Sequence, residues 1–320
     1  MTSASVPRVA TASVTAPIGV FDSGVGGLSV LRHIRAQLPH EHLLYFADSG
    51  FAPYGDKPEG VVAERSLAVA GFLVANGAKA LVVACNTATV AAIKVLRAHY
   101  PDMPIVGVEP GLKPAAAATR NGKVGVLATK VTIAGAKFLL LRDQISAASS
   151  AQFLLQGCPG LVDQIELGDL GSAQIRTLLE RYVVPLLDQG ADTLVLGCTH
   201  YPFVLATLGQ VIAAATSRDI VLIDTGDAVA RQLARLLGAA GLLNQDNAAG
   251  AVPDLARVAA GAAGATGADS AAGSHASAVT AADMGAAPTL QGYTSASATA
   301  LSRAFANLLG IDAPVREVVI

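Results

Sequence analysis

The 320-residue sequence has no tryptophan, only three cysteines and few charged side chains, 14% of the total. Each scarcity excludes something. Cys85, Cys158 and Cys198 are an odd number without C-x-x-C spacing, which argues against a disulfide framework and a structural zinc site and fits a reducing cytosol. A formal net charge of -2 leaves no electrostatic footprint for nucleic acid or an anionic membrane. The 52% hydrophobic content is raised by alanine, and no apolar run reaches the roughly 20 residues of a membrane-spanning helix. Residues 1–17 lack a basic start followed by a compact apolar core, so they read as a disordered extension rather than a targeting segment. A soluble, cytoplasmic protein with room for two ordinary domains is expected.

Two stretches organise that length: Leu81-Val82-Val83-Ala84-Cys85-Asn86-Thr87 and Leu194-Val195-Leu196-Gly197-Cys198-Thr199-His200. Each is a β-branched, apolar run of strand length that ends in a small residue and a cysteine, followed by polar side chains and a helical pattern. In a parallel α/β sheet such a strand is buried and its C-terminal end opens onto the ligand crevice. A helix starting there favours thiolate over thiol. An inert, buried thiol is the usual state of a free cysteine, but it does not account for two matching contexts.

A second pair repeats in the same order. Ile18 to Phe21 forms a strand leading to Asp22-Ser23 and the glycines of Gly24-Val25-Gly26-Gly27; Val124 to Ala128 leads to Thr129. Two pseudo-equivalent α/β halves with mostly parallel sheets, facing each other across a cleft, is the economical fold. The first unit is expected over 18–112 and 221–320, the second over 113–220. An Ala/Gly-rich insertion at about 244–287 has little apolar surface to offset chain entropy and reads as flexible. Further strands are expected at Leu43–Ala47, Ile105–Val108 and Ile220–Asp224, and helices over Val61–Asn76, Ala88–His99 and Leu301–Leu309. Cys158, followed by Pro159 and with no strand run ending on it, reads as structural. Glu166 reads as a solvated helix charge or a carboxylate behind the site. His33, His40 and His42 lack the company a metal would need, and a phosphate loop at Gly24 to Gly27 lacks its Lys-Ser/Thr.

Two thiols across a crevice suit redox exchange, metal binding or acid–base chemistry. Redox pairs usually sit close in sequence and a two-Cys metal site needs more ligands, so proton transfer fits best. Inverting a carbon centre needs a base on one face and an acid on the other, and a tuned thiol serves as either. Asp22 is placed to polarise Cys85, and His200 to polarise Cys198.

Val20 to Val30, Ala84 to Thr89 and Leu196 to Pro202 resemble the signature segments of glutamate racemases, as do Pro53-Tyr54-Gly55, Gly107 to Gly111 and Cys158 to Glu166; the likeness covers roughly Ile18 to Arg235. The resemblance implies a cofactor-independent, metal-free enzyme, with a homodimer as its assembly, that interconverts L- and D-glutamate for peptidoglycan. It implies that Cys85 takes the α-proton from D-glutamate and Cys198 from L-glutamate, assisted by Asp22 and His200. Asp22, Ser23, Tyr54, Gly55, Asn86, Thr87, Thr199 and His200 would hold the substrate, and Glu166 matches a carboxylate near the second cysteine. Aspartate racemases, maleate isomerases and arylmalonate decarboxylases are rivals of the same superfamily. A non-enzymatic binding module and a nucleotide-binding protein are rivals of other classes.

Overall fold

Residues 13–244 and 288–320 are described by the structure, a computed structural model. Strand β1 (Ile18–Asp22), helix α1 (Leu28–Gln37), β2 (Leu43–Ala47), α2 (Glu59–Ala75), β3 (Ala80–Val83), α3 (Asn86–His99) and β4 (Ile105–Gly107) build the first half. The second follows as α4 (Leu112–Ala118), β5 (Lys123–Ala128), α5 (Lys130–Ala134), α6 (Ala136–Ser149), β6 (Gln152–Gly157), α7 (Leu161–Glu166), α8 (Ala173–Asp188), β7 (Thr193–Leu196), α9 (Leu205–Ala215) and β8 (Val221–Ile223). Helix α10 (Gly226–Ala239) returns the chain to the first sheet, which β9 (Leu290–Thr294), α11 (Ala298–Ala304) and β10 (Val315–Glu317) complete.

The sheet orders are β10-β9-β2-β1-β3-β4 and β6-β5-β7-β8, and every pairing among the described residues is parallel. Alternate strand residues face opposite sides. Ile18 and Val20 pack with Leu31 and Leu233 of α1 and α10; Phe21, Leu81 and Val83 pack with Val69, Leu73 and Leu96 of α2 and α3. Burial on both faces is why these strands read as continuous apolar runs.

The internal repeat extends to single hydrogen bonds. Phe21 pairs with Val83 and Leu127 with Leu196 in register. One step on, Ala84 N donates to Phe21 O and Gly197 N to Leu127 O, both at 2.7 Å. Cys85 and Cys198 are therefore equivalent positions, as are Ser23 and Thr129. Asp48 and Cys158 also correspond: their N–H groups donate to Asp22 O and Ala128 O.

Four expectations are corrected. Val221–Ile223 does not open the return to the first unit; it is an edge strand of the second sheet, paired with β7, and the crossing begins only at α10. Cys158 does follow a strand, β6, whose partly exposed edge position gives it no continuous apolar signature. Residues 13–17 are not loose: Lys79 N donates to Pro17 O and its ammonium to Val14 O. The last helix starts earlier, at Ala298, capped by Ser297 Oγ, and widens into a π turn over Phe305–Leu309 before Gly310 at φ +67°. The rest of the N-terminal extension and nearly all of the Ala/Gly-rich insertion lie outside the described residues. No helix among those described is long and apolar enough to cross a membrane.

Candidate active site

At the C-terminal end of β1 the chain turns through glycines, and the Asp22 carboxylate closes that turn by accepting Gly27 N at 2.6 Å and Ser23 N at 2.7 Å. Ser23 Oγ lies 3.6 Å from Cys85 Sγ. Cys85 is extended (φ -127°, ψ 124°) and immediately precedes α3, so its sulfur sits over the first turn of that helix. Burial pushes the Asp22 carboxyl above its ordinary range, against the pull of His200 and the Gly27 N–H. Burial and then the Asp22 charge also push the Cys85 thiol up to about 12. These effects outweigh the helix end, opposite to the direction expected from the sequence.

On the second half, Cys198 is followed by a 3-10 turn (Tyr201–Val204), and α9 begins only at Leu205. The helix-end argument thus transfers poorly to this cysteine. Its polar company is instead a histidine. Cys198 Sγ is 3.7 Å from His200 Nδ1, and His200 Nε2 is 3.0 Å from Glu166 Oε1. Burial alone would lower the His200 pKa, but its bonds to Cys198 and Glu166 raise it to about 10. The same bond holds Glu166 below its ordinary range. Both bonds favour the imidazolium form of His200, and its second nitrogen is oriented by a carboxylate.

The two halves meet at these residues. Asn86 Nδ2 donates to Gly197 O at 3.0 Å, tying the residue after the first cysteine to the residue before the second. Asn86 Oδ1 is buried and has no hydrogen-bond partner among the described residues. The glycine loop lies against the opposite half so closely that a Cβ on Gly26 would stand 2.5 Å from His200 Cε1 and from Thr199 Oγ1. Gly24 faces Glu166 in the same way, 3.3 Å from Oε1. A side chain at Gly26 would occupy the histidine's place, which is the physical reason for glycine there.

The structure thus brings together Asp22, Ser23, Cys85, Asn86, Cys198, Thr199, His200 and Glu166, with Thr87 half-buried in the first turn of α3. Tyr54 is placed differently from a free substrate ligand. Its hydroxyl donates to Asp48 Oδ2 at 2.7 Å and the side chain is 1% exposed, so the phenol is committed within the first half. Thr129, noted in the sequence but not counted among the site residues, occupies the register position of Ser23. Its Oγ1 lies 2.8 Å from Thr132 Oγ1, and no signal in the sequence singles out Thr132.

A model of the Asp/Glu/hydantoin racemase family matches residues 18–233. A glutamate racemase of Pseudomonas paraeruginosa is 57% identical over 238 residues, 74% of this chain and 88% of that protein. Among solved structures, glutamate racemase isoform RacE1 from Bacillus anthracis matches with a TM-score of 0.72 at 27% identity, over 95% of this chain and 98% of that one. Escherichia coli glutamate racemase, solved with L-glutamate and the activator UDP-MurNAc-ala, matches with a TM-score of 0.69 at 30% identity, over 94% and 97%. With two cysteines at equivalent strand ends, each in its own polar setting, the chain belongs to the Asp/Glu/hydantoin racemase family, within its glutamate racemase group.

Proposed function

We propose that this protein racemises glutamate without a cofactor, by transferring the α-proton between Cys85 and Cys198 on opposite faces of the substrate. The observation that carries this reading is the register equivalence of the two thiols, one flanked by Asp22 and Ser23 and the other by His200 and Glu166. Cys198 removes the proton of L-glutamate while Cys85, a thiol at rest, supplies the proton to the other face; D-glutamate runs the same path backwards. The His200 imidazolium stabilises the negative charge that the Cys198 sulfur carries before it takes the proton of L-glutamate and regains when it gives that proton up in the reverse direction, and Glu166 keeps that ring charged and aimed. Asp22 acts on the Cys85 side.

The unpartnered Asn86 Oδ1 is an acceptor suited to the substrate ammonium. Ser23, Thr87, Thr199 and His200, with the main chain of Tyr54-Gly55, hold the carboxylates, and the hydroxyl pair of Thr129 and Thr132 joins them from the second half. A dicarboxylate held mostly by hydroxyls and N–H groups depends on orientation and exclusion of water for much of its rate enhancement, which for enzymes in general amounts to about 8–23 kcal/mol. The product D-glutamate would serve peptidoglycan synthesis in the cytoplasm, and the working assembly is a homodimer. The chain divides into two catalytic units, 18–112 with the C-terminal residues and 113–223.

The test is racemisation of each enantiomer by metal-stripped protein in heavy water, without pyridoxal phosphate, beside Cys85→Ser and Cys198→Ser. Solvent deuterium in the inverted product, with racemisation abolished in both variants, is the expected result. A well-folded wild type that turns over neither enantiomer would sink the glutamate reading, and a variant that still racemises would sink the two-thiol mechanism.

A further inference from the structure

One buried carboxylate near the cleft is used by neither thiol. Asp48 follows β2, hydrogen-bonds through its N–H to Asp22 O at 2.9 Å, and is fully buried. Four side-chain donors converge on it. Arg65 of α2 grips it bidentately, Nη2 to Oδ1 at 2.6 Å and Nε to Oδ2 at 2.8 Å. Tyr54 Oη donates to Oδ2 at 2.7 Å and Ser295 Oγ to Oδ1 at 2.6 Å. Both oxygens are fully subscribed, so the group has no capacity left for a ligand. Although burial acts to raise its pKa, the bonds from Arg65, Ser295 and Tyr54 hold it below the ordinary range, and Tyr54 stays protonated as a donor.

The donors come from three separate places in the chain. Arg65 also reaches Ile320 O through Nη1 at 2.6 Å, and its guanidinium lies 5.1 Å from the Phe51 ring centre, while that ring meets Tyr54 edge-on. The segment from Phe51 to Tyr54 is thereby pinned to α2 on one side and to the C-terminal strands on the other. The turn it leads into, Tyr54–Asp56, packs against α3 of the first half and α5 of the second, at the mouth of the cleft. In the second half the equivalent position is Cys158, a thiol pushed up to about 12 by burial, which donates to Gln156 O and offers no carboxylate to grip. The clamp exists on one side of the cleft alone.

We infer that Asp48, gripped by Arg65, Tyr54 and Ser295, is a positioning site that fixes the Tyr54-Gly55 segment over Cys85 and thereby sets the affinity for the amino-acid substrate. This rests on the glutamate reading for its ligand but not for its geometry. None of the clamp's own bonds touches substrate, so loosening it raises KM and leaves the chemical step nearly intact.

The experiment uses the full chain as wild type, Tyr54→Phe, Ser295→Ala, Arg65→Lys and the Tyr54→Phe/Ser295→Ala double variant, assayed with both glutamate enantiomers. Each donor-deleting variant should raise KM roughly tenfold, the size of one lost charge-assisted hydrogen bond, with kcat changed by less than about twofold. The double variant should fall well short of the product of the singles, because both act through one carboxylate. Arg65→Lys, which keeps one contact, should lie between wild type and the deletions. Amide exchange over residues 51–57 in the free protein should accelerate in the same variants. Unchanged KM, effects that multiply, a loss of kcat at constant KM, or unaltered exchange would each overturn the clamp. Should wild type not turn over glutamate, that reading falls by itself and the exchange measurement still decides the clamp.

Discussion

At the scale of single residues, the site is defined as much by what is missing as by what is present. Gly26 has no side chain because His200 and Thr199 fill the space. Gly26→Ala should leave the fold intact, by circular dichroism, and lower kcat/KM about a hundredfold, since a shift of roughly 1 Å in a proton-transfer group has that cost. Near-normal kcat/KM would show that the loop yields rather than the histidine. The His200–Glu166 bond gives a second prediction. A histidine whose folded-state pKa is raised from 6.5 to about 10 adds stability that is complete below the lower value and is lost as pH rises through the upper one. The proposed role needs that proton, so kcat/KM should fall on the alkaline side through the same region. Glu166→Gln removes one of the groups that hold it, and the alkaline limb should move to lower pH. A pH–rate profile for both enantiomers measures this, and a limb that stays in place would assign it to another group.

At the scale of elements, a buried ion pair fastens the entrance of the first sheet. Lys79, just ahead of β3, meets Glu41, just ahead of β2, with both side chains almost completely removed from solvent. Glu41 also accepts Asn244 N, and Lys79 holds Val14 O. Removing one partner strands a buried charge, so Lys79→Met should cost about 3–5 kcal/mol in urea unfolding, and Lys79→Met/Glu41→Leu markedly less. A double variant as unstable as the single would mean that the pair is worth more than its desolvation. The strands that carry the chemistry were legible in the sequence because β1, β2, β3 and β7 are buried on both faces and read as unbroken apolar runs. β6 was not, since its edge position leaves it partly exposed, and β9 (Leu-Gln-Gly-Tyr-Thr) and β10 (Val-Arg-Glu) have no apolar run at all. The same contrast holds in the site. Residues at strand ends were readable from position, whereas the commitment of the Tyr54 hydroxyl depends on Arg65 and Ser295, which no local pattern links to it.

At the scale of the molecule, the Ala/Gly-rich stretch joins the fold at its far side. Asn244, where it departs, bonds to Glu41 and His40; Thr289, where it returns, bonds to His42 and Leu43. Both anchors sit at the N-terminal end of β2, a strand's length from the end where the cleft opens. Replacing 245–287 by a short Gly/Ser linker should therefore leave kcat and KM for glutamate within about twofold of wild type, because closing a loop between fixed ends depends only weakly on its length. A large loss of turnover would show that the stretch communicates with the cleft.

The repeat that places the two cysteines in register does not extend to their neighbours: Asp22 corresponds to Ala128, and Thr87 to His200. Mirror-image amino acids have equal free energy in water, so the equilibrium constant between them is unity and kcat/KM must be the same for both enantiomers, however unlike the two faces of the site are. The asymmetry has one outlet left. Whatever binds one hand more tightly must turn it over more slowly by the same factor, and the difference between the two halves is felt only when the enzyme is saturated.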